Sequence, residues 1–558
     1  MNVSRYQWAT RGDVNAFFGL MLDNVANLVL MVSLLAGVFA FPTEIALRNM
    51  VPGTAIGVLV GDLIFFWLAF RLAKRTGRSD VTAMPLGLDT PSLFGMVFFV
   101  LGPTFLAAKQ AGMGEQAAAL HTWHIGMCAI VVSGIFKLCC AFGANTVRRI
   151  FPRAGLLGSL AAIALVIISF LPLLEILRSP IVGFVSLAVV LTTLVARIDL
   201  PYKLPGAVGS LVIGGVIYYV MWGLQGSSWL PEVLHLPQEP PPIDPRLGLF
   251  PTEWLHVLKF EWVGAFRESL QHLPVVIPFA LATVVGGIDC TESAAAVGDE
   301  YDTGHVIGIE AIATLAAGLC GGVIQTTPYI GHPAYKAMGG RAAYVLATAL
   351  FIGSAGLLGY FGYLYVIIPK PTVFPILIFI GLEITAQSFH ATPQRHYPAV
   401  ALACVPALAQ LALIFIDNIF GDSAVRGAGL TPDAVASPLL KGDLHTVRIL
   451  ANGFIITSLL WASGLAAMID RRLWRAAAFF AVAAIFTLFG IMHSPSPGSP
   501  MFLPWQLSGE MQRIVVQYAV GYAGVAALLL VWGYALKLEG VQPIVDPPAK
   551  EPGHLHAP

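Results

Sequence analysis

Apolar runs of membrane-crossing length recur along almost the whole chain, and a polypeptide built this way has few folding options. About 20 helical residues cross the ~30 Å of hydrocarbon in a bilayer. Inside that layer every backbone N–H and C=O must find an internal partner, which makes helices the default solution. Such runs lie near 14–41, 52–72, 85–108, 121–144, 154–174, 181–196, 206–224, 264–288 and 306–323. A short piece follows at 331–338, then runs at 341–368, 373–387, 397–416, 447–467, 473–492 and 511–536, sixteen segments in all. Composition agrees, because 57% of the 558 residues are hydrophobic and 11% are charged, against about 25% charged in soluble domains. The expected class is an all-α polytopic membrane protein.

Charge position adds a topology. Lys and Arg accumulate on the cytoplasmic side of membrane proteins. With a cytoplasmic N-terminus, the inside loops hold Arg71, Lys74, Arg75 and Arg78, then Arg148, Arg149 and Arg153, and later Arg471, Arg472 and Arg475. Both termini are therefore expected in the cytoplasm, in a multi-pass protein of the inner or plasma membrane. The Pro-rich stretch 226–261 should be an extracytoplasmic loop, and the polar, Pro-rich tail 541–558 should be disordered. The first residues lack the features of a cleaved signal peptide, so the first span is expected to be retained. Lys plus Arg equals Asp plus Glu at 31 each, which offers no basic excess for nucleic acid. All six cysteines (Cys128, Cys139, Cys140, Cys290, Cys320, Cys404) fall in apolar runs, as packed thiols do, and none has metal-site spacing.

Two of the sixteen segments are broken. The third opens on T-A-M-P-L-G-L-D-T-P-S, interrupted by Pro85, Gly87, Pro91 and Gly95, and the tenth on Q-T-T-P-Y-I-G-H-P, interrupted by Pro328, Gly331 and Pro333. Irregular backbone at membrane depth survives only where protein or a watery cavity satisfies it. Paired interruptions in corresponding positions of two halves mark the binding site of a transporter. The spacing predicts non-helical segments at 82–92 and 325–332, lying side by side.

Several stretches resemble the nucleobase-ascorbate transporters, the nucleobase/cation symporter-2 group that includes bacterial uracil, xanthine and adenine/guanine permeases. They are F-P-R-A-G-L-L-G-S-L, the eighth-segment G-G-I-D-C-T-E-S, and G-L-C-G-G-V-I-Q-T-T-P-Y-I-G-H-P-A-Y-K-A-M-G-G-R, within a likeness that runs from about Phe17 to Gln387. The resemblance implies a seven-plus-seven inverted repeat with core and gate domains in an elevator mechanism, and short strands in segments 3 and 10. Its parts would be core at 14–150 and 262–368, gate at 151–225 and 369–470, and about two extra C-terminal helices over 471–540. It also implies an eighth-segment acid at the solute, matched by Asp289. Where the family has a tenth-segment acid after T-T, this chain has Tyr329, Ile330, Gly331 and His332. The sulfate-permease anion carriers, more distantly similar, also lack that acid.

Individual residues carry further expectations. Asp289 and Glu292 share a helical face through their i, i+3 spacing and are candidates for coupling, or for solvated groups at a helix end. Asp23 is a third coupling candidate in an apolar helix, with Asn24 and Asn27 beside it as solute contacts or interhelical hydrogen bonds. Asp89 either bonds the broken backbone or faces the solute. Thr327 and Tyr329 supply hydroxyls beside the tenth-segment half-helix, and His332 either replaces the missing acid or is a satisfied helix-start histidine. Lys137, Asp62, Glu310, Lys336 and Glu383 read as groups that pair structurally or snorkel.

The reading is a secondary active transporter of a small polar solute, a purine or pyrimidine nucleobase in the main version and a small inorganic or organic anion in the alternative. Its expected partners are that solute, a coupling H⁺ or Na⁺ and the lipid bilayer, with homodimerisation left open and nucleic acid excluded. No cofactor and no metal is expected. The chain carries no G-x-x-x-x-G-K-[ST] loop for ATP, and no H-E-x-x-H or G-x-S-x-G of a membrane enzyme.

Overall fold

The computed structural model describes residues 6–536 apart from positions 151, 199, 202–205, 226, 228, 230, 237–243, 330, 391, 422–424, 426–427 and 497–500. Side chains at 143–150, 233, 245, 247, 289, 292, 296, 421 and 433 also lie outside the description. So do the expected tail, most of the apex of the 226–261 loop, and the side chains of Asp289 and Glu292.

The protein is a multi-pass helical membrane protein. Among the described residues ten helices are long and apolar enough to cross a membrane, or up to twelve if two sharply bent pairs each count as one span. Every expected segment coincides with helix, but three are short for a crossing: Pro180–Val195, Thr303–Leu319 and Leu473–Leu488. The segment expected at 341–368 is a bent pair, Ala343–Leu357 and Phe361–Ile367, turned through 93°. Gly359 makes that turn with φ +78°, where any Cβ would strike the Gly248 carbonyl.

By backbone contacts the chain forms two compact units, Met1–Val147 with Ile168–Leu382, and Arg148–Ile167 with Glu383–Pro558. The first contains both broken segments. Its relevant elements are α1 (Gly12–Phe39), α2 (Thr43–Thr76), β1 (Leu86–Leu88), α3 (Thr90–Gln110), α4 (Glu115–Ile150), α5 (Leu273–Ala296), α6 (Thr303–Leu319), β2 (Thr326–Pro328), α7 (His332–Ala337) and α8 (Ala343–Leu357). Local chemistry sets their ends. The Asp89 carboxylate accepts from the Ser92 amide at the start of α3, with Pro91 in the first turn. Asp302 does the same for α6 through His305. Asp13 on α1 reaches across to accept from the Arg341 and Tyr344 amides at 2.9 and 3.1 Å, capping α8 from outside. Gly53 on α2 lies against the backbone of Cys320, Gly321 and Gly322, so the approach of α2 to the turn before β2 has no room for a side chain.

β1 and β2 pair antiparallel, with Leu86 opposite Pro328, Gly87 opposite Thr327 and Leu88 opposite Thr326. The segments expected at 82–92 and 325–332 are thus side by side. Both need a correction at their ends: Thr90–Ser92 are already helical, because the Asp89 cap starts α3 two residues after the strand, and His332 is the first helical residue of α7.

In the second unit small residues let helices meet closely, as is usual in lipid. Ala154 and Ala161 pack with Ala399, Val400, Ala403, Ala462 and Ala466, and the Ser458 hydroxyl donates to the Ala403 carbonyl at 2.6 Å. The two additional C-terminal helices, Leu473–Leu488 and Gly509–Leu536, pack on each other. A relay ties the second of them to the helix Phe454–Ile469 and to the segment after Leu488: Trp461 N–H donates to the Tyr522 oxygen at 2.8 Å, and Tyr522 Oη lies 2.7 Å from His493 Nε2.

Candidate functional site

A three-residue strand pair inside a helical protein leaves its outer backbone groups unsatisfied unless something else reaches them. Here the outer amides of both strands and the outer carbonyls of β2 have identified partners. Inner bonds run from the Asp89 amide to the Gln325 carbonyl at 2.9 Å and from the Tyr329 amide to the Pro85 carbonyl at 2.8 Å. On the outer edge of β1, the Leu86 amide donates to Asp62 Oδ1 of α2 at 3.2 Å and the Leu88 amide to Asn24 Oδ1 of α1 at 3.0 Å. On the outer edge of β2, the Thr326 amide donates to Thr314 Oγ1 of α6 at 3.3 Å, and Pro328 has no N–H to satisfy. The Thr326 carbonyl accepts from Lys137 Nζ of α4 at 2.9 Å, and the Pro328 carbonyl from Cys290 Sγ of α5 at 3.3 Å.

The pairing centres on Gly87 and Thr327, and its local two-fold relates Leu86 to Thr326 and Leu88 to Pro328. Asp62 in the second segment and Thr314 in the ninth then perform equivalent tasks. That is the sense an inverted repeat requires.

The polar face of α1 meets the crossing. Asn24 holds β1, and Asn27 Oδ1 accepts from the Thr90 hydroxyl at 2.8 Å at the start of α3. The Tyr329 hydroxyl hydrogen-bonds to the Asp23 carboxylate. Asp23 is 5% exposed, and its Oδ1 is buried without a hydrogen-bond partner. Asp62 is fully buried and its Oδ2 is similarly orphaned. Behind β2, Lys137 and Glu310 form an ion pair at 2.8 Å with both side chains fully buried. Four carboxyl groups, from Asp23, Asp62, Asp89 and Glu310, thus lie around the strand pair, and Lys137 is paired with one of them, Glu310. The arrangement is rich in hydrogen-bond acceptors.

The expected site residues divide as follows. Asp23, Asn24, Asp89, Thr327 and Tyr329 are brought together at the crossing, Thr327 half-buried at its centre. Asp89 points one carboxylate oxygen at the end of its own helix α3. His332 begins α7 but turns to the Thr82 carbonyl, 3.1 Å away, and to Asp299. Asp289 and Glu292 lie on the last turns of α5, flanking Cys290, which touches β2; their side chains are outside the described residues.

Among residues read from the sequence as ordinary pairing or snorkelling groups, Asp62, Lys137 and Glu310 turn out to hold the strands. Asp299, one of three acids with Glu300 and Asp302 in a polar turn of the sequence, is fully buried and forms ion pairs with Lys336 at 2.7 Å and Arg78 at 3.2 Å. No periodicity signals any of these roles; for Asp62, Lys137 and Glu310 an acid or base inside an apolar run was the only clue, and Asp299 offered none. Among the described residues no group of three or more His, Cys, Asp or Glu side chains could hold a metal ion.

The cap makes a simple test. Replacing Asp89 with Ala should cost about 1 kcal/mol, the usual value of a helix N-cap, while Asn should cost only tenths. Thermal melting of the purified variants measures the difference; equal melting for Ala and wild type would remove Asp89 from its capping role.

No protein-family model and no curated protein matches the chain. Among solved structures, the transmembrane domain of a cyanobacterium bicarbonate transporter, BicA, aligns at 11% identity with a TM-score of 0.45, covering 81% of this chain and 97% of that one. SLC26A9 aligns at 11% identity with a TM-score of 0.46, covering 95% of this chain and 91% of that one. Likenesses at this distance carry no argument about substrate.

Proposed function

We propose that the chain is a secondary active transporter that binds a small polar solute at the β1–β2 crossing, driven by H⁺ or Na⁺. In this reading the solute is a planar hydrogen-bond donor such as a purine or pyrimidine nucleobase. The observation that supports it is the excess of buried acceptors: Asp23 and Asp62 each keep one carboxylate oxygen without a partner, and Lys137 is already paired with Glu310. The amide end of α3, otherwise a ready anion site, already faces the Asp89 carboxylate. A solute bringing N–H groups fits such surroundings better than one bringing negative charge. The proposal keeps a core of segments 1 to 4 and 8 to 11, which supplies every side chain named at the crossing, and keeps both termini cytoplasmic.

A second reading, a carrier of small inorganic or organic anions, is favoured by one observation: α7 starts at His332 with no side-chain cap from Gly331, and Tyr329, Gly331 and His332 supply no acid there. Thermal shift separates the two. A solute at 100 times its Kd should stabilise the protein by about 2.7 kcal/mol. Stabilisation by uracil, xanthine or adenine supports the main reading. Stabilisation by bicarbonate, sulfate or chloride in their place replaces it with the second.

A further inference from the structure

Lys137 on α4 is fully buried, and its ammonium sits among oxygen atoms of three kinds. Glu310 Oε1 is 2.8 Å away, the Thr326 carbonyl accepts at 2.9 Å, and the Thr314 hydroxyl lies at 3.4 Å. A carboxylate, a main-chain carbonyl and a hydroxyl are the ligands that hard cations take. The group is built into its surroundings. Thr314 Oγ1 also accepts from the Thr326 amide at 3.3 Å, and Thr283 of α5 hydrogen-bonds to the Glu310 carboxylate. The Asp89 carboxyl group lies near enough to interact with both Lys137 and Glu310.

Stability alone is a weak reason for such a pair. A buried ion pair can often be replaced by apolar residues of similar volume at no loss. What sets this one apart is the carbonyl, which belongs to the broken tenth segment. In carriers with discontinuous helices, unwound backbone carbonyls coordinate the coupling Na⁺ or H⁺. The Thr326 carbonyl is placed for that task, yet it already receives a positive charge fixed to α4.

We propose that the Lys137 ammonium is a tethered cation filling a monovalent-cation site made by Glu310, Thr314 and the Thr326 carbonyl, so that the β1–β2 crossing is held without Na⁺. This rests on the carrier reading above and deepens it, because it leaves H⁺ as the coupling ion. Removing the side chain while keeping its oxygen partners should open the site to a free cation. Filling the space with an uncharged chain should not.

Full-length protein in detergent is melted in equal concentrations of NaCl or choline chloride at one pH. Wild type should melt alike in both, because the tethered charge occupies the site. K137A should melt about 2–4 °C higher in NaCl, as an ion bound only by the folded state implies. K137M should show no such difference, and neither should K137A combined with E310Q, which lacks the carboxylate; these two exclude a general salt effect. A K137A protein that melts alike in both salts overturns the proposal, and so does a wild type stabilised by Na⁺. If K137A folds in neither salt, K137S, whose hydroxyl adds an oxygen ligand, takes its place with the same two outcomes, and the wild-type comparison stands in any case. Coupling is read in proteoliposomes. Wild-type uptake of uracil or xanthine driven by a pH gradient should be unchanged when choline replaces Na⁺, and uptake that needs Na⁺ overturns the assignment of H⁺. Absence of uptake of both solutes overturns the nucleobase reading and leaves the cation site to the melting comparison.

Discussion

Lys137→Met should destabilise the protein by about 3–5 kcal/mol, the usual cost of removing one member of a buried ion pair. Two losses coincide. Glu310 is left as an uncompensated acid with a fully buried side chain, and the Thr326 carbonyl loses the ammonium that satisfies it at 2.9 Å. The second loss falls on the outer edge of β2, where few other groups can reach. The double variant Lys137→Met with Glu310→Leu should recover much of the stability, because removing both charges eliminates the stranded acid while only the carbonyl contact stays broken. Thermal or denaturant unfolding in detergent measures both. If the double variant is no more stable than the single one, the stranded charge is not the dominant cost, and support of the β2 carbonyl is.

The broken segments were legible because proline and glycine act locally. Pro85, Gly87, Pro328 and Gly331 interrupt a regular helix, so the existence and approximate extent of both non-helical segments could be read from residues alone, whereas short strands there were only what the resemblance implied. The pairing register could not be read that way. It depends on Asn24, Asp62, Thr314 and Lys137, which lie up to 189 residues away in sequence and reach the strand edges only after their helices have packed. The start of α3 shows the same limit in miniature. Composition suggested an irregular stretch to Ser92, whereas the cap made by Asp89 begins the helix at Thr90. Asp299 is the sharper case, because three acids spaced over 299–302 look like a solvated turn. Only the folded chain shows that Arg78, Lys336 and the Thr82 amide converge on the first of them. Hydropathy identified the helices well for a related reason. Each helix answers to its own sequence, while the ion pairs answer to distant ones.

Asp23→Asn should preserve the fold and reduce gradient-driven uptake by roughly 10²–10⁴-fold, the range spanned when a positioned proton-transfer group is removed. The amide keeps the shape and can still accept from Tyr329, so the contact between α1 and the residue after β2 survives. What it cannot do is bind and release a proton, or offer a full charge to Na⁺. Asp23 is chosen over Asp89 because its Oδ1 is buried and empty, whereas an Asp89 oxygen is committed to the Ser92 amide. Tyr329→Phe tests the other side of the same bond: it leaves the carboxyl group intact and should weaken solute binding more than coupling. Asp289→Asn should resemble Asp23→Asn, and Glu292→Gln should be milder. Exchange of labelled solute across proteoliposomes without any gradient separates binding from coupling, because a variant that exchanges at the wild-type rate but cannot concentrate solute has lost only the coupling ion. An Asp23→Asn protein that still concentrates solute as wild type does would make this carboxyl a purely structural partner of Tyr329, and the coupling role would then have to pass to the acids of α5.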